Sequence, residues 1–333
     1  MKRWCALLCV IAGCAAAAAA QDLRPIGSDL STLLQGVGQS VIGNLQQSVL
    51  ADNGVGAASL GSSRFYVGIT LGATLSHGLL GFVNTPNEFQ VLNVNGLITN
   101  NLPGSLSGLY TTAQTFFPDP NLKLTFGIKP IAGIEVLGIF SILPDVLTNA
   151  ITKAANVSGT TLNSLSAGLL VRKVLIEDTG PFPAISLGVG YTYANFNAGY
   201  SINNFSQGFG GDTLTLGGNL KLGWTLNTAG VELDISKRFL VFVPYLKIIP
   251  WYQWASFSGS IDNFTADLSS GGTPITPTYG AGSPSATITQ NDIGFLLDAG
   301  VEVALGGFRL VPSGSYNILT DTFSANLSAR GQF

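Results

Sequence analysis

The chain has one histidine, one methionine, little charge and no cysteine beyond position 14. Cys5, Cys9 and Cys14 all lie in an amino-terminal stretch that opens with Met1-Lys2-Arg3, continues through the apolar run Trp4 to Gly13 and ends in alanines up to Ala20. A positive start, a short apolar core and small residues at the end have the layout of a secretory leader. Cleavage before Gln21 removes every thiol. Ile11-Ala12-Gly13-Cys14 also matches a lipoprotein box, in which Cys14 is acylated and becomes the first residue, and both readings stand. What remains has no disulfide framework, no thiol nucleophile and no thiolate metal site, apart from Cys14 in the lipoprotein case.

Charged residues make up 10% of the chain and apolar ones 46%. An ordinary soluble domain carries about 25% charge at a similar apolar share, so something other than water faces much of this surface. A net charge of −3 removes the basic footprint that nucleic-acid binding needs, and no nucleic-acid partner is expected. No run after the leader reads as a spanning helix: Ile131 to Leu143 is broken by Glu135 and by glycine. The other architecture that satisfies every amide inside hydrocarbon is a closed barrel, whose strands need only about 9–11 residues each.

Such strands alternate, because successive side chains leave opposite faces of a sheet. Between Thr213 and Asn227, Leu214, Leu216, Leu220, Leu222, Trp224 and Leu226 share one face, read as the lipid side, and Lys221 falls on the other. At the end of the chain Phe323, Ala325, Leu327, Ala329, Gly331 and Phe333 alternate with Thr322, Ser324, Asn326, Ser328, Arg330 and Gln332. Phe65, Val67, Ile69, Leu71 and Leu75 point outward in a third segment, and Ile293, Phe295, Leu297, Val301 and Val303 in a fourth, which turns Asp298 and Glu302 inward. Strands are expected near 65–75, 122–129, 131–142, 164–176, 184–200, 212–226, 229–236, 239–249, 250–262, 286–304, 308–317 and 322–333. That gives an all-β antiparallel transmembrane barrel of about twelve strands, within a range of ten to fourteen, with a possible miscount between Asn227 and Tyr252.

Short turns at Lys129-Pro130, Glu177 to Pro183 and Gly306-Gly307 alternate with long connections at Phe82 to Pro120, Leu143 to Asn163 and Asn263 to Ser285, the expected periplasmic and external sets. Tyr191, Tyr193, Trp224, Trp251, Tyr252, Trp254 and Phe257 are candidates for the interfacial girdles. Residues 1–20 are thus the signal, 64–333 the barrel, and 21–63 a segment with a different rhythm. There Leu30, Leu33, Leu34, Val37, Val41, Leu45 and Val49 recur at spacings of three and four, loosened by Gly36, Gly38 and Gly43. One or two amphipathic helices are expected, either folded into the lumen as a plug or held in the periplasm as an arm or partner-binding helix.

Three strands, 131–142, 164–176 and 239–249, carry large apolar residues on both faces, so part of the lumen is not watery. Packing against a plug explains this, and so does a path for an apolar solute. From Phe82 to Pro118 the only charge is Glu88, while Phe89, Val91 and Leu92 lead a series of apolar residues; Val146, Leu147 and Ile151 follow in the next long connection. The layout of signal, plug of about forty residues, barrel and apolar external loops resembles the outer-membrane long-chain fatty-acid transporter family. Ala51-Asp52-Asn53 followed by Gly54 to Ser59 is similar to that family's plug region, without its Asn-Pro-Ala turn. The resemblance implies a bacterial outer-membrane channel for hydrophobic small molecules, captured at Phe89, Val91, Leu92, Val146, Leu147 and Ile151 and passed through a plugged lumen. A terminal Phe333 closing an alternating strand also resembles the signal read by the outer-membrane assembly machinery.

Catalysis on an outer-membrane barrel needs a histidine or paired carboxylates beside an activated hydroxyl or water. His77 follows Ser76 directly, and neighbours on a strand face opposite ways, so the two form no nucleophile and base pair. No enzyme activity, metal site or cofactor is expected. Lys221, Glu232, Asp234, Asp298, Glu302, Arg309 and Arg330 are assigned to a lumen network that holds the plug or sets pore polarity, since an unpaired charge there is costly. The rival functional readings are a general porin for polar solutes and a surface barrel acting as an adhesin.

Overall fold

A computed structural model describes residues 24–50, 54–77, 116–142, 160–209, 212–275 and 283–333. It contains a helix, α1 (Arg24–Leu50), and the strands β1 (Phe65–His77), β2 (Phe116–Ile131), β3 (Ile134–Ile142), β4 (Thr160–Ile176), β5 (Ala184–Phe209), β6 (Asp212–Ser236), β7 (Phe242–Ser270), β8 (Thr273–Ile275), β9 (Ser285–Leu305), β10 (Phe308–Asn317) and β11 (Thr322–Gln332). Each strand pairs antiparallel with its neighbours, β11 returns to β1, and β8 is a short flap on the outer end of β7. Without β8, ten strands close into a ring that has no free edge.

A hydrogen-bonded row followed once round the ring from Ala304 passes Arg309, Arg330, Gly68, Thr125, Ile139, Gly168, Thr192, Thr228 and Gln253 and returns to β9 at Asp292, twelve residues from its start. That stagger tilts the strands and sets the width of the barrel. Two of the expected strand breaks are absent: 212–226 and 229–236 are one strand, as are 239–249 and 250–262 up to Ser270. Asn227, Thr228 and Pro250, at the expected breaks, sit inside continuous ladders, and the ring therefore has ten strands and not twelve. The turn expected at Lys129-Pro130 falls instead between Ile131 and Ile134, where Gly133 takes φ 76°.

Phe65 and Phe333 stack at 5.1 Å at the end of the barrel that carries the short turns, which is the periplasmic end. On the outer face Phe65, Val67, Ile69 and Leu71 of β1 and Phe323 and Leu327 of β11 are exposed, as expected, and so is Ile293 of β9. Tyr191, Tyr252 and Trp254 mark the upper limit of this apolar band, with Tyr191 and Trp254 rings 6.0 Å apart and the Tyr191 hydroxyl donating to Asn227. A closed ring with an apolar belt between aromatic borders is an outer-membrane β-barrel.

β5, β6 and β7 have 26, 25 and 29 residues, more than twice what one crossing needs. Their outer ends stand above the aromatic border in water, and the sense of the alternation reverses there. Outward positions are Asn197, Asn219, Lys221, Ser256 and Ser258, while Leu214, Leu216, Trp224 and Leu226 turn inward and are buried. The expected lipid face of Thr213 to Asn227 is thus the lumen face. Asn263, at φ 52°, forms a bulge in which β7 spends one more residue than β6 between Asp262 and Thr265, so the inward set changes from Ile261 to Ala266 and Leu268.

What fills the inside is α1. Its glycines make it a poor helix alone, so its stability rests on packing its apolar face. Ile26, Leu30, Leu34, Val41, Ile42 and Leu45 are buried in one cluster with Leu214, Leu216, Trp224, Phe257, Ile261 and Leu268 of the wall. The helix packs mainly on β9, β7, β1, β6, β11, β2 and β5, leaving the β3–β4 side of the lumen least covered.

Candidate functional site

The lumen has two storeys with different chemistry. In the lower one, the segment Gly54 to Leu60 crosses the periplasmic end as irregular backbone, neither helix nor strand, whose amides need partners. The wall supplies them. Ala57 N–H donates to Glu302 (3.0 Å), Ala58 N–H to the Ser236 hydroxyl (2.9 Å) and Leu60 N–H to Glu135 (2.7 Å). Arg330 donates to the Gly54 carbonyl (2.6 Å) and the Gln332 amide to the Leu60 carbonyl (2.6 Å). Side chains from β3, β6, β9 and β11 thus clasp one short segment, and Val55 and Leu60 pack in one buried cluster with Tyr66, Leu137 and Leu170. The inward apolar residues of β3 and β4 therefore have a packing role.

The clasp is held by buried charge. Arg172 lies between Glu135 (2.6 Å) and Asp234 (2.9 Å), with no exposed side-chain surface on Arg172 or Glu135. Glu302 meets Arg330 at 2.8 Å and Arg309 at 3.1 Å, and Arg330 sits over the Tyr66 ring. Lys247 stands between Glu232 (3.9 Å) and Asp298 (4.0 Å). From β3 to β10 anions and cations alternate along the wall, and Arg330 on β11 adds a second cation at Glu302, so each carboxylate that holds the plug backbone is itself held by a cation. Leaving one such charge alone costs several kcal/mol.

Six of the seven residues assigned to this network, Glu232, Asp234, Asp298, Glu302, Arg309 and Arg330, do meet in the lumen. Lys221 does not. It lies on the outer face, 69% exposed, and pairs with Asp262 at 2.6 Å. Its position is corrected because β6 keeps one phase over its whole length, and Glu232 and Asp234 fix the even-numbered side as the inside. Sequence reasoning passed over Glu135, Arg172 and Lys247, although a charge at an inward position of an otherwise apolar membrane strand is itself the signal. Phe89, Val91, Leu92, Val146, Leu147 and Ile151 lie outside the described residues, in connections that join β1 to β2 and β3 to β4.

In the upper storey Trp224, Trp251 and Phe257, candidates for the girdle, face inward. Trp224 Nε1 donates to the Gly38 carbonyl (3.1 Å), and its ring lies 5.0 Å from that of Phe257 and 5.4 Å from that of Phe196. A Cβ on Gly38 would come within 2.4 Å of the Phe257 ring, so only glycine lets the helix approach this closely. Trp251 lies over Gly294, and neither its Nε1 nor the Gln253 amide, both buried, meets a hydrogen-bond partner among the described residues. One flank of α1, marked by Ser28, Gln35 and Gln39, remains exposed inside the barrel. The upper lumen therefore offers an apolar wall, a few polar groups and open space along one side of the helix.

Below the clasp a cavity of about 390 Å³ opens to the periplasm between Ala57, Ser59, Ser236 and the turn residues Asp178, Lys237 and Arg238. Lys237 Nζ donates to Asp178 (2.5 Å) and to the carbonyls of Gly180 and Phe182, and Arg238 N–H donates to Asp178 (2.6 Å). Partial burial pushes the Asp178 carboxyl up, but these donors and the Lys237 charge outweigh it and hold the group below the ordinary carboxylate range. A depressed value contributes stability above the unfolded pKa near 4 and loses it as pH falls through the folded value. Asp178→Asn is expected to cost less than about 1 kcal/mol at neutral pH, and the two proteins should converge in acid. Unfolding midpoints across pH 2–7 read this directly, and a gap that persists at the acid end would contradict it.

No protein-family model and no curated protein matches the sequence. Among solved structures the barrel is similar to the outer membrane protease OmpT from Escherichia coli, at 10% identity over 83% of this chain and 100% of that one, with a TM-score of 0.42. It is also similar to the translocator domain of the autotransporter NalP from Neisseria meningitidis, at 8% identity over 92% and 98% with a TM-score of 0.32. A third match is the toluene transporter TodX from Pseudomonas putida, at 9% identity over 85% and 95% with a TM-score of 0.23. A protease, an autotransporter domain and a toluene transporter have different activities, so likeness at this level carries no argument about what this chain does.

Proposed function

We propose that this barrel is a gated, non-enzymatic conduit for hydrophobic small molecules, of which long-chain fatty acids are the leading class, with α1 and Gly54 to Leu60 as the gate. The observation that supports it most is the composition of the upper lumen. Leu214, Leu216, Trp224, Leu226, Phe257 and Ile261 face inward beside a helix whose flank stays exposed. A polar porin needs a wide wet pore lined by polar or charged groups; here the charges are spent on one another and on the plug. An apolar solute with one polar end suits a surface of this kind, in which Trp251 Nε1 and the Gln253 amide are buried without a hydrogen-bond partner among the described residues. The apolar external connections, with Phe89, Val91, Leu92, Val146, Leu147 and Ile151, supply the collecting surface in this reading.

The test is paired. Liposomes carrying the full chain should take up a labelled long-chain fatty acid faster than empty ones while staying nearly silent in planar bilayers. Deletion of residues 24–50 should open steady currents. Uptake equal to empty liposomes from a barrel that is correctly closed by the current test would overturn the reading. Adhesion to host matrix that is lost on loop deletion while uptake is unchanged would point to the adhesin.

A further inference from the structure

The direction of α1 sets where its amino-terminal end lies. Leu34 touches the wall at Gly259, Gly38 lies against Phe257, Gly56 lies against Tyr245 and Glu302, and Leu60 reaches Gln332. As the chain proceeds from Leu34 to Leu60, it moves down β7 from Gly259 to Tyr245, from the outer end toward the periplasmic end. The fourteen residues from Arg24 to Gly38 rise about 21 Å above the Trp224 level. Ten residues of tilted β6, from Trp224 to Leu214, climb about 25 Å. Ile26, about 18 Å above Gly38 and fully buried in the same cluster as Leu214 and Leu268, thus lies in the outer half of the lumen, below the rim.

From this we infer that the polypeptide threads its own barrel with the amino-terminal end of α1 outward, so that the exposed Ser28 flank of the helix is reachable from the cell exterior. The barrel then has a function beyond conduction: it carries the amino-terminal half of α1 toward the outer side and holds it there. The grip is specific, since Trp224 Nε1 donates to the Gly38 carbonyl and only glycine fits against Phe257. The inference does not depend on what, if anything, crosses the lumen.

Single cysteines make the topology readable, because every native cysteine lies in the leader. Ser28→Cys reports the outer end of α1, Ser59→Cys the periplasmic mouth, Ser270→Cys the outer end of β7 and Thr179→Cys a periplasmic turn. Intact cells are treated with a membrane-impermeant maleimide, and folding is confirmed by the heat-dependent shift of each barrel on gels. Ser28→Cys and Ser270→Cys should label to similar extents on intact cells, with Ser59→Cys and Thr179→Cys at least tenfold lower until the cells are permeabilised. Labelling of Ser28→Cys only after permeabilisation, or in neither state, overturns the inference, as does reversal of the two barrel controls. None of these outcomes depends on solute uptake.

Discussion

Arg172→Met is expected to destabilise the barrel by about 3–5 kcal/mol, the range found when one partner of a buried ion pair is removed and the other is left behind. The change is conservative in volume, so the loss comes from charge. Glu135 and Asp234, both buried, keep their desolvation cost and lose their shared cation at 2.6 and 2.9 Å. Glu135 is also the acceptor for Leu60 N–H, so the plug loosens with it. The triple variant Arg172→Met with Glu135→Gln and Asp234→Asn removes the stranded charges while leaving an amide oxygen for Leu60, and most of the stability should return. Lys221→Ala is the control: its pair with Asp262 is exposed and should be worth under about 1 kcal/mol and screened by salt. Urea unfolding of the refolded protein in liposomes checks all three. A loss under 1 kcal/mol for Arg172→Met, or no recovery in the triple variant, would show that the cluster does not hold the plug.

How far the sequence discloses this depends on what lies on each side of a strand. β1, β11 and the part of β9 from Ile293 to Leu305 stay within the bilayer belt, with lipid outside and a largely polar lumen inside, and their outward residues read correctly from the sequence. β6 has equally regular alternation with the opposite meaning. Below Gly230 its inward residues are Glu232 and Asp234, and above it they are Leu214 and Trp224, because there water is outside and a helix inside. A period of two shows that two faces differ but not which one is which. The false breaks near Asn227 and Pro250 have the same origin: the side-chain chemistry changes along one strand while its phase is unbroken. For the site, lone lumen charges such as Asp298 and Glu302 were legible from parity. Pairing Glu135 with Arg172 needed the register of β3 on β4, which sequence alone does not fix. The partners of Gly54 to Leu60 were invisible, since backbone donors carry no sequence signature.

The contact between Gly38 and Phe257 offers the second large effect. Phe257→Ala removes a fully buried ring from the junction of α1, Trp224 and the wall, a change that typically costs about 3–5 kcal/mol. Because the ring touches the helix directly, much of that loss falls on docking of α1 and not on the barrel, whose ladders are intact. A docking loss of about 3 kcal/mol raises the undocked population roughly a hundredfold, since each 1.4 kcal/mol is tenfold. Open events in planar bilayers should rise accordingly. Gly38→Leu attacks the same contact from the other side, forcing a side chain where only 2.4 Å is available even for a Cβ, and should weaken docking by about 1–3 kcal/mol. If the two groups act through one contact, Gly38→Leu and Phe257→Ala combined should cost less than the sum of the single changes, because the new leucine occupies the space the ring has left. Strict additivity would mean the helix is held elsewhere, and the Trp224 hydrogen bond to Gly38 would then be the first place to look.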